Sequence, residues 1–303
     1  MSRRSPRGPF GDALKQMQWR TEVAAYEMCA AAIGSAPPRA RLAIGSALGT
    51  VFWAADARHR RAARRSVELA FGDALSPGQM DALVLASMRH FARVAVETLT
   101  FRNGEDRVAS IGIEGLDYLR EARARGRGVI GIQGHFGHWE LLRFTLGHHG
   151  LPTMGIARPM DNPYLDRRLR QLRALGGNDH ITQRGGVASA LKCLRDGNIV
   201  GIMIDQRPER SGTPVPFFGH QAFAAGSVAV LALRTGAPIV PGFGFLDHDG
   251  TWRAVVEPEV PVVRTGDLHA DTRRIMTDCT AVLERWIRRY PEQWLWTHAR
   301  LKP

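Results

Sequence analysis

The chain has 303 residues, of which 44% are hydrophobic, 23% charged and 8% aromatic. This composition excludes a disordered or low-complexity protein and is typical of a globular chain with one or two domains. The formal net charge is +12 and only three of the 41 basic residues are lysine, which indicates a phosphate-bearing or otherwise acidic partner, because arginine binds phosphate in a bidentate manner.

The first third of the chain is predicted to be helical and rich in arginine. Its longest uncharged stretch, residues 42–55, has 14 residues, whereas a membrane-spanning helix needs about 20. Arg41 and Arg58 are among the arginines that flank this stretch. The pattern fits a helix that lies on an anionic membrane surface, and it equally fits a core helix with a solvated basic neighbour. A further helix is predicted over residues 76–101, with Ser76 as its N-cap.

After residue 126, short apolar runs alternate with helical segments, which indicates βαβ units. The predicted fold class is α/β, a mixed, mainly parallel central sheet flanked by helices and preceded by a helical N-terminal region. We expect this region to span residues 1–105, as a membrane-associating part, and the α/β domain to span residues 106–303. Strands are predicted at residues 128–132, 151–156, 199–204, 239–245 and 252–256, and helices at residues 164–175, 187–195, 227–235 and 271–289.

The densest group of chemically active residue types follows the first of these strands. Residues 131–140 read GIQGHFGHWE, so that His135 lies just beyond a strand and Glu140 lies near the start of a helix. Ligands of open α/β sheets bind beyond the carboxyl ends of the strands. A carboxylate bonded to one imidazole nitrogen leaves the other nitrogen to accept a proton. His135 with Glu140 is therefore a candidate base for activating a hydroxyl that attacks an ester or thioester carbonyl.

Other interpretations of this segment compete at this point. A histidine and a glutamate on one loop are more often solvated or structural than catalytic. His135, His138 and Glu140 are also possible metal ligands, but the His-Glu-x-x-His spacing is absent and the three cysteines are widely spaced. We expect no metal and no cofactor. The absence of a G-x-S-x-G turn and of a Walker phosphate loop argues against a serine hydrolase and an NTPase.

The segment from His135 to Glu140 resembles the H-x-x-x-x-D/E motif of glycerolipid-type acyltransferases. Its Gly-x-Trp-Glu form is similar to the lipid A biosynthesis acyltransferase family (lauroyl and myristoyl transferases) and to the related mycobacterial phosphatidylinositol mannoside enzymes. The likeness extends over about residues 60–302, with further matching blocks in the expected order at residues 157–163, 205–208, 212–219, 233–238 and 290–298.

The resemblance implies that His135 is the general base and that Glu140 is the carboxylate that orients it. It implies an acyl donor carried as a thioester on acyl carrier protein or coenzyme A. The implied acceptor is a hydroxyl of a membrane glycolipid, in the first place a lipid A precursor, with phosphatidylinositol mannoside or another lipid as the alternative. We expect a peripheral or monotopic enzyme on the cytoplasmic face of the bacterial inner membrane, with an anionic membrane surface and no nucleic acid as a partner.

Four further residues are predicted to bind substrate. Arg158 follows a predicted strand, and Asp205 and Gln206 end another, so they should lie at the same sheet edge as His135. Arg173 matches the arginine that the family places one helix after its Arg-Pro block. The alternatives are that Asp205 only stabilises a turn and that Arg173 only lies on a solvated face of a helix.

Two features depart from the family pattern. The N-terminal segment is less hydrophobic than the anchor that many relatives carry, which favours peripheral association over a membrane span. His138 replaces an asparagine that many members carry, which puts the polarity near the site and the choice of acceptor in question. Trp294 and Trp296 in the C-terminal segment are expected to be core residues, with an interfacial anchor as the alternative. Two rival functions are a non-catalytic basic protein that binds membrane or nucleic acid, and a hydrolase that uses His135 and Glu140 on water.

Overall fold

A computed structural model describes residues 9–101, 108–182, 186–206, 208, 212–298 and 300–301 of the chain. Its helices are α1 (Pro9–Gly34), α2 (Pro38–Ala55), α3 (Ala57–Phe71), α4 (Pro77–Leu99), α5 (Leu116–Ala124), α6 (Trp139–His148), α7 (Pro163–Arg173), α8 (Gly186–Arg195), α9 (Ser227–Thr235) and α10 (Leu268–Arg289). Its strands are β1 (Gly112–Glu114), β2 (Val129–Gln133), β3 (Thr153–Ala157), β4 (Asp179–Thr182), β5 (Ile199–Met203), β6 (Thr213–Phe217), β7 (His220–Ala224), β8 (Ile239–Leu246) and β9 (Trp252–Val256).

Seven of the described strands form one sheet in the order β1-β9-β8-β2-β5-β3-β4. All neighbours in it run parallel except β8 and β9, which are antiparallel. Val129 and Ile130 on β2 belong to two different core clusters, since successive side chains of a strand point to opposite faces. The sheet is therefore covered on both faces. The predicted α/β class with a mixed, mainly parallel sheet is confirmed.

The predicted N-terminal helical region is formed by α1 to α4. Helix α4 begins with the expected cap, in which the Ser76 hydroxyl accepts a hydrogen bond from the Gln79 N–H while the Gln79 side chain accepts one from the Ser76 N–H. The Ser87 hydroxyl of α4 donates to the carbonyl of Trp294 at 2.8 Å, which joins this region to the C-terminal segment. The predicted boundary between residues 105 and 106 lies outside the described residues.

Helix α2 packs on α4 through its small and polar residues. A Cβ atom added to Gly49 would lie 2.4 Å from the Cα of Arg89, and one added to Gly45 would meet the backbone of Arg93 at 2.6 Å. Only glycine permits so close an approach of two helices. The Arg89 Nε also donates to the hydroxyl of Thr50 at 2.8 Å.

Three large apolar residues of α2 face solvent, whereas Trp53 packs against the core. Leu48, Val51 and Phe52 are all more than half exposed. In an ordinary amphipathic helix, such apolar side chains face the core. In the described part of the chain, we find no helix with the length and apolarity that crossing a membrane requires.

Candidate active site

The site is built where two neighbouring parallel strands end. In the register of β2 and β5, Gln133 lies opposite Met203, and the next N–H, that of Ile204, donates to the Gln133 carbonyl at 2.9 Å. Continuing this register by two residues brings His135 opposite Asp205. The carboxyl edge of the parallel strands therefore holds an imidazole beside a carboxylate.

Two hydrogen bonds join these residues. The Nδ1 atom of His135 lies 2.8 Å from Oδ1 of Asp205, and the His135 backbone N–H donates to Oδ2 at 2.7 Å. The Asp205 residue is 1% exposed, whereas the His135 side chain retains 15% of its surface. A proton on Nδ1 that is held by the carboxylate makes Nε2 the proton-accepting nitrogen of the ring.

The pKa of Asp205 is controlled by opposing effects. Burial alone would raise the pKa of this carboxyl group, but the hydrogen bond from the His135 side chain and the charges of His135 and Arg300 lower it to about 2. A further hydrogen bond comes from the indole N–H of Trp294, 3.0 Å from Oδ2. Asp205 is therefore ionised at neutral pH, so that it stabilises a proton on His135.

The C-terminal segment holds the turn that carries His135. The Leu295 N–H donates to the His135 carbonyl at 3.1 Å, and the Gly137 N–H donates to the Gln293 carbonyl at 2.8 Å. Gly137 has a φ of 56°, and a Cβ atom here would lie 1.9 Å from the carbonyl oxygen of Gly244. Only glycine fits this turn.

The aromatic residues of the C-terminal segment are core residues, as predicted. Trp294 and Trp296 are each 1% exposed. The ring of Trp294 packs edge-on against Phe217 with a centroid distance of 5.5 Å. Phe217 and its neighbour Phe218 are themselves buried, so this pair belongs to the core.

Glu140 lies elsewhere, in contrast to the expectation that it would hydrogen-bond to His135. Its Oε1 accepts from the Nε of Arg173 at 2.7 Å, and its Oε2 lies 3.3 Å from Nη1 of Arg143. Arg143 follows Glu140 by three residues and so lies on the same face of α6, where the two buried side chains form an ion pair. The carboxylate that orients His135 is that of Asp205, and a part for Glu140 in catalysis stays a prediction.

His138 caps helix α6. Its Nδ1 accepts a hydrogen bond from the Leu141 N–H at 3.3 Å, and its buried ring packs edge-on against Trp252. Asparagine, which many family members carry at this position, is among the best N-cap residues, so the histidine in this chain is compatible with the same local structure.

The predicted substrate-binding residues differ in how exposed they are. Arg158 is exposed directly after β3, and Gln206 is exposed directly after Asp205. Both lie beyond the carboxyl ends of strands that are parallel to β2. Arg173 keeps 22% of its side-chain surface while it is held by Glu140. Their roles in binding substrate stay predictions.

Two residues of this site were not foreseen from the sequence. Trp294 was expected to be core, but its hydrogen bond to Asp205 makes it part of the site as well. Arg300 is buried near Asp205. It lies two residues after the block at residues 290–298 that matches the family, and this proximity could have marked it as a candidate site residue. Within the described ranges, no group of three or more His, Cys, Asp or Glu side chains is arranged to hold a metal ion.

Comparisons with known proteins agree on one family. The family model described as bacterial lipid A biosynthesis acyltransferase matches residues 15–303. A lipid A biosynthesis acyltransferase of Haemophilus influenzae is 28% identical, over 86% of this chain and 83% of its own length. The lipid A biosynthesis palmitoleoyltransferase of Escherichia coli is also 28% identical, over 81% and 79%. A phosphatidylinositol mannoside acyltransferase of Mycolicibacterium smegmatis is 27% identical, over 71% and 70%.

Proposed function

Because the chain belongs to the bacterial lipid A biosynthesis acyltransferase family, we propose that it moves a fatty acyl chain from a thioester donor to a hydroxyl of a lipid A precursor. The chain is an acyltransferase that acts on a glycolipid. The observation that carries the proposed chemistry is the His135–Asp205 pair at the carboxyl edge of the sheet. The match to a phosphatidylinositol mannoside enzyme supports that glycolipid as the second candidate acceptor.

The proposed reaction uses His135 as the base. Its Nε2 takes the proton of the acceptor hydroxyl as the hydroxyl oxygen attacks the thioester carbonyl carbon. The resulting tetrahedral intermediate collapses by breaking the C–S bond, and the imidazolium returns the proton to the departing sulfur. Asp205 stabilises the imidazolium between these two steps, and a positioned base of this kind contributes about 10²- to 10⁴-fold in rate.

The acceptor's phosphate or sugar groups are proposed to bind at the same edge. Arg158 has the best position for a phosphate because it is exposed beyond β3, and a guanidinium forms paired, charge-assisted hydrogen bonds with phosphate oxygens. Gln206, exposed beside Asp205, is the proposed contact for a hydroxyl. Arg173 reaches the acceptor only through the part of its side chain that Glu140 leaves exposed.

The proposed membrane partner is an anionic lipid surface. Exposed Leu48, Val51 and Phe52 on α2 are followed along the chain by the exposed arginines of α3, namely Arg58, Arg61 and Arg65. Apolar side chains next to arginines are suited to the headgroup region of an anionic membrane. We place the enzyme as a peripheral or monotopic protein on the cytoplasmic face of the inner membrane, where it would meet acyl carrier protein or coenzyme A as the carrier of its donor.

The function is tested with purified protein, an acyl thioester and a glycolipid. Acyl carrier protein and coenzyme A thioesters are supplied in parallel, each with a lipid A precursor or phosphatidylinositol mannoside, and acylated lipid and free fatty acid are quantified by mass spectrometry. We expect acylated lipid from the wild-type enzyme and a loss of at least about 10²-fold in His135→Gln. His149→Gln, at an exposed histidine after α6, serves as the matched control and should keep full activity.

Two outcomes would contradict this function. Undiminished transfer by His135→Gln would remove the proposed base. Release of free fatty acid at the same rate with and without acceptor would identify a hydrolase instead of a transferase.

A further inference from the structure

Arg300 is a charged residue buried behind the proposed catalytic pair. It is 3% exposed, and its Nη2 donates a long hydrogen bond of 3.4 Å to the Thr280 hydroxyl on α10. Within the described residues, its Nε and Nη1 have no hydrogen-bond partner. The N–H groups of a buried arginine are normally hydrogen-bonded. Hydrogen bonding therefore does not explain why Arg300 is buried here.

Aromatic rings connect Arg300 to the site. Its guanidinium carbon lies 4.4 Å from the ring centroid of Phe217, a distance at which a cation is attracted by the ring face. Phe217 packs against Trp294, whose indole N–H is hydrogen-bonded to Asp205. The positive charge and the Asp205 carboxylate are therefore both buried and connected through packed aromatic rings, where electrostatic interactions are weakly screened.

We infer that Arg300 is a positioning residue for acyl transfer, whose buried charge opposes protonation of His135, so that the base is available at neutral pH. This inference rests on the proposed function of His135. Burial lowers the pKa of Arg300 itself to about 10, against the raising effects of the charges of Asp205 and Glu284, so the guanidinium stays charged at neutral pH.

The other ionisable groups that face this region do not replace Arg300. Glu284 on α10 pairs with Arg288 at 2.7 Å and accepts the Phe218 N–H at the same distance, so its charge is already balanced. His90 on α4 is buried, and burial lowers its pKa to about 3 despite a hydrogen bond to Gly137. His90 is therefore neutral throughout the pH range of an assay.

The sign of the expected pH effect follows from charge. The unprotonated imidazole is the active form, so activity falls as acid protonates His135. Arg300 repels that proton, while Asp205 attracts it. Asp205 keeps the hydrogen bonds from His135 and Trp294 when Arg300 is replaced, and its pKa of about 2 in the wild type lies far below the assay range, so we expect it to stay ionised in the variant as well. Without Arg300, the imidazolium is more stable and the loss of activity begins at a higher pH.

The test is the pH dependence of kcat/KM between about pH 5 and 9 for four enzymes: the wild type, Arg300→Met, Arg300→Lys and Arg289→Met. We expect Arg300→Met to move the midpoint of the acid side upward by about one pH unit and to recover most of its activity at high pH. Arg300→Lys should restore the wild-type midpoint because it restores the charge. Arg289 on α10 likewise lies over an aromatic ring, 5.6 Å from the centroid of Trp286, but it is exposed, so Arg289→Met should leave the midpoint unchanged.

Near-ultraviolet circular dichroism shows whether Arg300→Met is folded. If the folded variant has the same midpoint as the wild type, the inference is overturned. If Arg300→Met does not fold, Arg300→Gln is measured instead, since glutamine is also neutral but polar. A folded Arg300→Gln with the wild-type midpoint would likewise overturn the inference. His135→Gln, measured in parallel, separates the two claims: an inactive His135→Gln with an unmoved Arg300 midpoint removes Arg300 alone, whereas an active His135→Gln removes the proposed base.

Discussion

Glu140 lies in a buried cluster of charges on the side of α6 that packs against α7 and β3. It is 3% exposed, and its two oxygens are engaged by Arg173 and Arg143. Arg143 in turn donates to the carbonyl of Asp179 at 2.8 Å. This carboxylate therefore compensates buried positive charge that links a helix to two strands, which is a structural function.

We predict that Glu140→Gln lowers the free energy of unfolding by about 3 kcal/mol, because it leaves a buried guanidinium without its counter-ion. Urea denaturation at pH 7 measures this change. Asp117→Asn is the control, since Asp117 forms an exposed ion pair with Arg120 on α5, and exposed pairs contribute at most about 1 kcal/mol. Equal unfolding midpoints for Glu140→Gln and the wild type would contradict the structural function.

At the scale of secondary structure, the hydrophobic pattern predicted much of the sheet. The expected strands at residues 199–204, 239–245 and 252–256 agree with β5, β8 and β9 to within a residue. β5 and β8 are continuous apolar runs, which is typical of strands covered on both faces, whereas Arg253 interrupts the apolar run of β9. The same pattern placed His135 and Asp205 at strand ends and so predicted that both would lie at one edge.

The pairing of His135 with Asp205 was not predicted, because it depends on strand order. β2 and β5 are neighbours, although β3 and β4 lie between them in sequence, and the pattern of apolar residues does not reveal that order. Proximity in sequence favoured Glu140 as the partner. In the structure, both oxygens of Glu140 instead contact arginines.

Some strands escaped prediction for local reasons. β6 contains Pro214 and Pro216, and proline is a poor strand residue because it cannot donate to a neighbouring strand. β4 begins with two polar residues, Asp179 and His180, and it lies at the edge of the sheet, where burial imposes a weaker pattern. Neither strand carries the apolar run by which buried strands are detected.

At the scale of the whole molecule, the packing of α2 favours the membrane interpretation over the core interpretation of residues 42–55. Gly45 and Gly49 of this helix face α4, while Leu48, Val51 and Phe52 face solvent. A monomeric soluble protein rarely exposes a large contiguous apolar surface. The division of the chain into a membrane-associating region up to residue 105 and an α/β domain from residue 106 stays a proposal.

We predict that the double variant Val51→Asp/Phe52→Asp binds anionic vesicles at least about tenfold more weakly than the wild type, since it removes two apolar side chains from the membrane interface and adds negative charge. Co-sedimentation with vesicles of phosphatidylglycerol and phosphatidylethanolamine measures the binding.

The matched control for this experiment is Val187→Asp/Leu268→Asp, which makes the same change of charge at two exposed apolar residues on α8 and α10. We expect it to bind like the wild type. Equal weakening by both double variants would mean that net charge, and not the face of α2, controls the binding.

The central claim is that Asp205 is the carboxylate that makes His135 a base. The most direct measurement is kcat for Asp205→Asn, compared with Glu140→Gln under conditions in which both are folded. Asparagine keeps the shape but favours the wrong tautomer of the histidine, and the corresponding change in a Ser-His-Asp protease lowers kcat by about 10⁴-fold. We predict a loss of about 10²- to 10⁴-fold for Asp205→Asn and less than about tenfold for Glu140→Gln. A nearly unchanged kcat for Asp205→Asn, together with a large loss for Glu140→Gln, would contradict the account.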